Sequence, residues 1–304
     1  MGVGILLHNV NNAVIGAQQV DDSESIFGEY DPLPGFVGVG RNEGGGVRIE
    51  GGGNIFMPGL MLGDTPIMNP YGENKNFNLM ITDTEGPVFY GPSPFADGPG
   101  AMHFGLIYSE AAMPIRIVNN WGEVWIRSIQ NECLYGVCPP FGVEIVGPQA
   151  PIRLHHVTFL FNFMDAAVHI NSVHADGSVE LINNLFFGQQ LPGTPVIEAN
   201  GVDPGKLVIF NNMKYKYGEW CTGECIEQNI LDNVDTGQFF TCDSEQAVPI
   251  VPTCPNVDSG AVIFIDEGIT PLNLTGEPGK PHHGCAPDIG FMECFSPACQ
   301  AECE

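Results

Sequence analysis

Four stretches of the chain match one another when each is shifted by 28 residues. Ile126-Arg127-Ser128-Ile129, Leu154-His155-His156-Val157, Ile182-Asn183-Asn184-Leu185 and Phe210-Asn211-Asn212-Met213 share one pattern, apolar, polar, polar, apolar. A fixed period of about 20 to 50 residues marks a solenoid, in which each repeat cannot bury its own apolar face and must stack on a neighbour. A second ladder runs out of phase with the first, through Gly142-Val143-Glu144-Ile145, Ala167-Val168-His169-Ile170, Pro195-Val196-Ile197-Glu198 and Cys225-Ile226-Glu227-Gln228. These runs are short and rich in β-branched residues. They alternate roughly with period two and are bounded by Gly, Pro, Asn and Asp, which predicts strands. The 39 Gly and 25 Pro leave few windows in which a helix could persist.

Two or three short strands per turn of about 28 residues, with Asn at the bends, is the arrangement of a parallel β-helix. Equivalent residues then lie about 4.8 Å above one another, and like stacks on like. The spacing predicts an aromatic column of Phe159, Phe187 and Tyr215 and a polar ladder of His156, Asn184 and Asn212 at a bend.

On these I-N-N-L and F-N-N-M units and their Phe/Tyr partners, the chain resembles the right-handed parallel β-helix proteins of the pectate-lyase-like superfamily. A second likeness lies in the tail: Asp288-Ile289-Gly290-Phe291-Met292-Glu293 is similar to the D-I-G-A-Y-E ending of bacterial surface β-helix proteins. The resemblance is clearest over about 120–295. Upstream it rests on Leu7-His8-Asn9-Val10 and Val47-Arg48-Ile49-Glu50, while Val118-Asn119-Asn120-Trp121 competes for register. The expected fold is all-β: a right-handed parallel β-helix over 1–253 with a Cys-rich C-terminal cap over 254–304. Long loops at about 20–46 and 60–112, rich in Gly, Pro, Asp and Met, are expected to leave one face and build a cleft.

Charge excludes some partners. With 36 acidic and 10 basic residues the net charge is −26, which argues against nucleic acid and anionic membranes. No apolar run approaches the roughly 18 residues of a membrane span. Ten cysteines, eight of them after residue 220, point outside the cytosol, to an extracellular or cell-surface protein. Cys133/Cys138, Cys221/Cys225, Cys242/Cys254 and Cys285/Cys294 are close enough to clip loops, although spacing does not fix the connectivity. The rival use is a zinc site from Cys285 with His282 or His283, for which no finger spacing exists. Met1-Gly2-Val3-Gly4-Ile5-Leu6-Leu7 lacks the basic and long apolar regions of a leader and enters repeat-like sequence at once. The start therefore reads as a boundary inside a longer stack, with a preceding domain or partner expected there. Asn273-Leu274-Thr275 matches the N-glycosylation sequon.

No phosphate-binding loop, nucleophile elbow or zinc-protease helix is present. The N-x-D, D-D, G-H-G and R-I-K series of polygalacturonase-type hydrolases is missing too: Asp21-Asp22 stands alone and His283-Gly284 lies in the Cys-rich tail. A lyase acting on uronate polymers needs a base for the proton α to the carboxylate and a cation for the enolate. Lys214, Tyr215, Lys216 and Tyr217 are the densest group of basic and aromatic residues, just after the Asn211-Asn212 bend. Arg127, His155 and Asn183 are expected on neighbouring turns, with Arg153 nearby, which would set a cation and a base roughly 5 Å apart. The same column also reads as the solvated side of a bend. Trp121, Trp125 and Trp220, with Tyr217 and Lys216 close to the last, suit the C–H faces of sugar rings. Asp21, Asp22 and Glu24, with Glu29 and Asp31, form an acidic run that offers oxygens to Ca²⁺.

Two functions are expected from this set. One is a secreted or cell-surface module that binds polysaccharide or a cell-surface glycan. The alternative is a polysaccharide lyase, or less readily a hydrolase, acting on an acidic polymer, with Lys214, Tyr215, Arg127 and His155 as its catalytic candidates.

Overall fold

A computed structural model of the chain describes residues 2–15, 37–40, 42–57, 60–62, 74–91, 105–108, 113–127, 129–132, 138–160, 165–188, 193–235, 286–287 and 289. The described residues form strands, joined by turns and two short 3₁₀ turns. The first sheet holds β1 (Val3–His8), β4 (Gly45–Glu50), β7 (Phe77–Thr82), β10 (Met113–Val118), β13 (Phe141–Val146), β16 (Ala166–Asn171), β19 (Ile197–Asn200) and β22 (Cys221–Gly223). The second holds β2 (Asn11–Val14), β5 (Gly53–Met57), β8 (Val88–Tyr90), β11 (Val124–Arg127), β14 (Pro151–His155), β17 (Ser178–Ile182), β20 (Leu207–Phe210) and β23 (Ile230–Leu231). The third holds β3 (Val37–Val39), β6 (Leu60–Leu62), β9 (Gly105–Tyr108), β12 (Ile129–Glu132), β15 (Thr158–Leu160), β18 (Leu185–Phe187), β21 (Met213–Tyr215) and β24 (Val234–Asp235). Each strand from β1 to β21 pairs in parallel with the strand three places further along, so the chain visits the three sheets in rotation.

Alternation decides which side chains enter the core. In the first sheet the columns Val47/Leu79/Ile115/Val143/Val168/Ile197 and Ile49/Ile81/Ile117/Ile145/Ile170/Ala199 are in register and wholly buried. Each such Val, Leu or Ile side chain withdrawn from water contributes about 1.5–3 kcal/mol before chain entropy is subtracted. Between them Arg116, Glu144, His169 and Glu198 form one outward column, because successive side chains in a strand leave opposite faces.

The corners explain the Asn-rich sequence. Directly after seven strands of the first sheet the backbone turns left-handed, at Asn9, Gly51, Asp83, Asn119, Gly147, Ser172 and Gly201. The corner after the second sheet does the same at His156, Asn183, Asn211 and Asp232. Gly adopts this conformation freely, and Asn and Asp bear it better than other residues.

These corners correct the register. Leu154 pairs with Leu181 rather than Ile182, so that step is 27 residues and the next, to Ile209, is 28. Asn183 therefore lies above His156, and the column containing Arg127 and His155 continues to Ile182 rather than Asn183. Asn184 lies above Val157 and beneath Asn212, so His156 does not belong to that ladder. The predicted aromatic column divides in two: Phe159 stacks on Phe186 at 4.9 Å, and Phe187 packs on Tyr215 at 5.0 Å. Superposing the polar pairs misplaces this step, because inward-facing Val179 and Leu181 must continue the columns of Ile152 and Leu154. In the first sheet Ile197, not Val196, stands over Val168, and it is followed by Cys221 rather than Ile226. The stretch Cys225–Gln228 is not a strand: a 3₁₀ turn occupies Glu227–Asn229.

The supposed loops also carry strands. Residues 20–46 contain β3 and the start of β4, and 60–112 contain β6, β7, β8 and β9. Spacings of 42, 32 and 36 residues between the paired positions Leu7, Ile49, Ile81 and Ile117 hide the period there. Residues 254–304 lie outside the described residues except for 286, 287 and 289, and Ile289 of the closing motif is buried.

Candidate functional site

The second sheet presents one outward column in which Phe56, Phe89, Trp125, Arg153, Glu180 and Val208 stand on successive strands. Parallel in-register pairing forces like neighbours to stack. The rings of Phe56 and Phe89 stack nearly parallel, 4.8 Å apart, and those of Phe89 and Trp125 lie 6.2 Å apart. Arg153 continues the stack as a flat cation, its guanidinium carbon 4.5 Å from the centre of the indole.

Two carboxylates hold that guanidinium from opposite sides. Arg153 Nη1 donates to Glu123 Oε2 at 2.6 Å, and Nε donates to Glu180 Oε2 at 3.1 Å. Trp125 Nε1 also donates to Glu123 Oε2, at 3.0 Å, so one glutamate fixes both the indole and the cation above it. Arg153 and Glu180 are partly shielded, with side chains 19% and 25% exposed, while Glu123 is 44% exposed.

Beside this column stand Arg127 and His155, register partners on β11 and β14 as the sequence predicts. Both are closed off from solvent although they leave the sheet on its outward side. Burial pushes the Arg127 guanidinium down to about 9. Burial is also the main cause that lowers the His155 imidazole, opposed by Glu180 and reinforced by the charges of Arg153 and Arg127. His155 Nε2 lies 3.5 Å from Glu180 Oε2, a charge contact too long to be a well-formed hydrogen bond. Its Nδ1 has no hydrogen-bond partner among the described residues. At Glu180 burial alone would raise the carboxyl, but His155 and Arg153 outweigh it and hold the group below its ordinary value.

Both shifts make the fold acid-labile. An imidazole held below its ordinary value takes its proton first in the unfolded chain, so its stabilising contribution is present at neutral pH. That contribution is lost as pH falls through the ordinary His range toward the folded value. Glu180 acts in the same direction, contributing above the ordinary carboxylate range and losing that contribution as pH falls through its depressed folded value. The unfolding free energy from urea titrations is expected to drop between about pH 7 and pH 5, by up to ~1.4 kcal/mol per pH unit for a single group. His155→Gln is expected to flatten that upper part of the curve and leave the steeper carboxylate loss below it. An unchanged slope in the variant would show that His155 is not responsible.

The second predicted cluster lies elsewhere. Lys214 stands in the third sheet, in the column Asn131, Phe159, Phe186, Lys214, three strands beyond the circuit of Arg127. That is roughly 14 Å along the stack. It is buried: its ammonium donates to the carbonyl of Gly218, lies 3.4 Å from Asp235 and stands 5.2 Å from the centre of Trp220. Tyr215 packs outward on Phe187, with the ammonium of exposed Lys216 5.1 Å from its ring centre. Tyr217 and half-buried Trp220 meet Phe186 edge-on, at 6.4 and 6.3 Å, inside the last described circuit. Burial raises the Tyr217 phenol, whose hydroxyl finds no partner among the described residues. The structure thus brings Arg127 and His155 together and sets Lys214 and Tyr215 apart from them.

Of the three tryptophans, Trp125 is 7% exposed and Trp121 is 62% exposed. Trp121 lies in the corner that feeds β11, two residues before Glu123. Glu123 and Glu180 are not among the residues the sequence singles out, because the repeat shows itself through its apolar positions. The outward alternation of β11, β14 and β17 is the signal that would have found Glu180. Asp21, Asp22 and Glu24 lie outside the described residues, and among the described ones no group of three or more His, Cys, Asp and Glu could hold a metal. Cys221 and Cys225 are joined, and Cys138 is also disulfide-bonded. No described helix is long and apolar enough to cross a membrane.

No protein-family model matches the chain, and searches of curated proteins and of solved structures likewise found no match.

Proposed function

We propose that the chain is a right-handed parallel β-helix of the pectate-lyase-like kind, extracellular or on the cell surface, that engages polysaccharide along the outward face of its second sheet. The rotation of the chain through three parallel sheets supports the architecture. The exposed indole of Trp121 carries the functional reading. Trp121, 62% open to water, is the largest of the exposed hydrophobic side chains among the described residues, and an indole face suits the C–H face of a sugar ring. Two residues span at most about 7 Å, so Glu123 and the Arg153–Glu180 pair beyond it lie within reach of the hydroxyls of one short oligosaccharide.

A polysaccharide lyase is the second reading, and one observation favours it: Arg127 and a His155 held neutral by burial are adjacent on neighbouring strands. In that reaction His155 would take the proton α to a uronate carboxylate while the Arg127 cation stabilises the enolate, which requires the face that closes both side chains off from solvent to open.

One set of mixtures tests both. The protein is titrated with a panel of neutral and acidic oligosaccharides by calorimetry, and absorbance near 235 nm is followed in the same samples. Arms with Ca²⁺ and with chelator address the acidic run that contains Asp21, Asp22 and Glu24. Trp121→Ala is expected to weaken binding by about tenfold or more, with an unchanged denaturation midpoint, since an exposed side chain contributes little to stability. Binding that ignores the substitution, or no binding to any glycan, would overturn the reading. A rise at 235 nm that is lost in His155→Gln would establish the lyase, and a flat trace would remove it.

A further inference from the structure

The cations of this molecule decide which glycans it can take. Ten residues are basic and eight of them are described. Arg48 pairs with Glu50 at 3.1 Å, Lys75 with Glu43 at 2.7 Å and Arg116 with Glu144 at 2.6 Å. Lys214 pairs with Asp235, and Lys206 donates to the carbonyl of Ala175. Arg127 is sealed from solvent, and Lys216 lies against Tyr215, just after a strand of the third sheet. Arg153 is the cation nearest Trp121 on the candidate face. Its Nη1 and Nε are occupied by Glu123 and Glu180, and its flat face rests on Trp125. A ligand carboxylate arriving there would have to compete with two protein carboxylates that already hold the guanidinium and offset its charge. It would do so against a net charge of −26.

The same arrangement suits hydroxyls. Ionised carboxylates are acceptors only, with about four lone-pair directions each, and a vicinal diol supplies two donors. Glu123 uses Oε2 on Trp125 and Arg153, and nearly half of its side chain is open to water. Resting on the glycan reading above, we propose that the Trp121–Glu123–Arg153–Glu180 face selects neutral, hydroxyl-rich polysaccharide and rejects its uronate counterpart. Glu123 and Glu180 act as hydrogen-bond acceptors, and their grip on Arg153 removes the cation a uronate would need.

The test uses matched polymers that differ in charge alone: several uronans, and the carboxyl-reduced product of each with its linkages intact. Affinity is measured by calorimetry at low and at near-physiological salt. The reduced form is expected to bind about tenfold or more tightly than its parent, with the gap narrowing as salt screens the repulsion. Trp121→Ala should weaken that binding by about tenfold or more. Glu123→Gln/Glu180→Gln, checked for an intact fold by circular dichroism, should release Arg153 and shrink the discrimination. Equal or tighter binding of a uronan that still depends on Trp121 would overturn the selectivity and leave the glycan reading standing. Binding of neither member of any pair would overturn the glycan reading, and the selectivity with it.

Discussion

Asn184→Ala is expected to lower stability by about 3 to 5 kcal/mol, read as a fall in the guanidinium midpoint, although the residue touches neither of the predicted site clusters. Asn184 is fully buried where the chain turns from the second sheet to the third. Its Oδ1 accepts from Val157 N at 2.8 Å, and its Nδ2 donates to Leu154 O at 2.8 Å and to Asn212 Oδ1 at 2.9 Å. Truncation leaves the buried Val157 amide without its partner, at about 1–3 kcal/mol, takes one of the bonds from the Leu154 carbonyl and from Asn212, and opens a small void. Asn184→Asp should be no better. It can still accept from Val157, but it sets a buried carboxylate against two oxygens and loses both donated bonds. Two controls separate the ladder from any general effect of losing an amide. Asn233→Ala, at the half-buried end of the same ladder, should cost only about 1–2 kcal/mol, because water can replace the missing partners. Asn200→Ala, whose exposed side chain bonds Glu198, should move the midpoint by less than about 0.5 kcal/mol. Equal losses at all three positions would show that the ladder is not what holds the corner.

That ladder also marks the boundary of what the sequence makes legible. The period of 28, the alternating Val and Ile and the frequent Asn announce stacked parallel strands, and Ile126 over Leu154 and Arg127 over His155 are read correctly from spacing. The error enters at the next circuit. In Leu154-His155-His156-Val157 and Ile182-Asn183-Asn184-Leu185 the polar pair looks like the fixed point, and superposing the pairs gives a step of 28. Burial overrules this. Asn184 is itself a core residue, occupying the interior place that Val157 fills below it, so the true match is Leu154 with Leu181. A polar residue hidden by complete hydrogen bonding cannot be told from a solvated one by its type. Further upstream the insertions stretch the spacing between circuits to between 32 and 42 residues, and strands such as Leu60–Leu62 and Val88–Tyr90 are too short to announce themselves without a period. The site is hidden for a different reason. Trp121 and Trp125 are equally visible as letters, and only burial distinguishes an open indole from one sandwiched between Phe89 and Arg153. Lys214 looks catalytic beside two tyrosines in the sequence, yet alternation turns it toward Phe186 and the interior column.

Arg153→Met is expected to be the most damaging change on the candidate face, at about 2–3 kcal/mol, and the reason is the two carboxylates it leaves behind. Methionine keeps much of the stem that covers Trp125, so lost packing contributes little, and the effect isolates the charge. The two pairs are unequal. Glu123 is 44% exposed, and water solvates its carboxylate once the cation is gone, which limits that pair to about 0–1 kcal/mol. Glu180 is 25% exposed and lies beside buried His155. It therefore bears most of the loss, since stranding one partner of a shielded pair costs more than the pair ever contributed. Double variants test this inequality more sharply than a single midpoint. Adding Glu180→Gln to Arg153→Met should recover about 1–2 kcal/mol, because a neutral amide no longer needs the cation, whereas Glu180→Gln alone should destabilise. Adding Glu123→Gln instead should recover almost nothing. The Arg153→Met/Glu180→Gln protein should also lose part of its acid sensitivity, as the carboxyl that Arg153 and His155 hold below its ordinary value is gone. If both glutamine replacements rescue equally, exposure does not rank the pairs and Glu123 depends on Arg153 as much as Glu180 does. If neither rescues, stranded carboxylates are not the source of the loss, and it lies instead in the stacking of the guanidinium itself on the indole, which methionine does not supply.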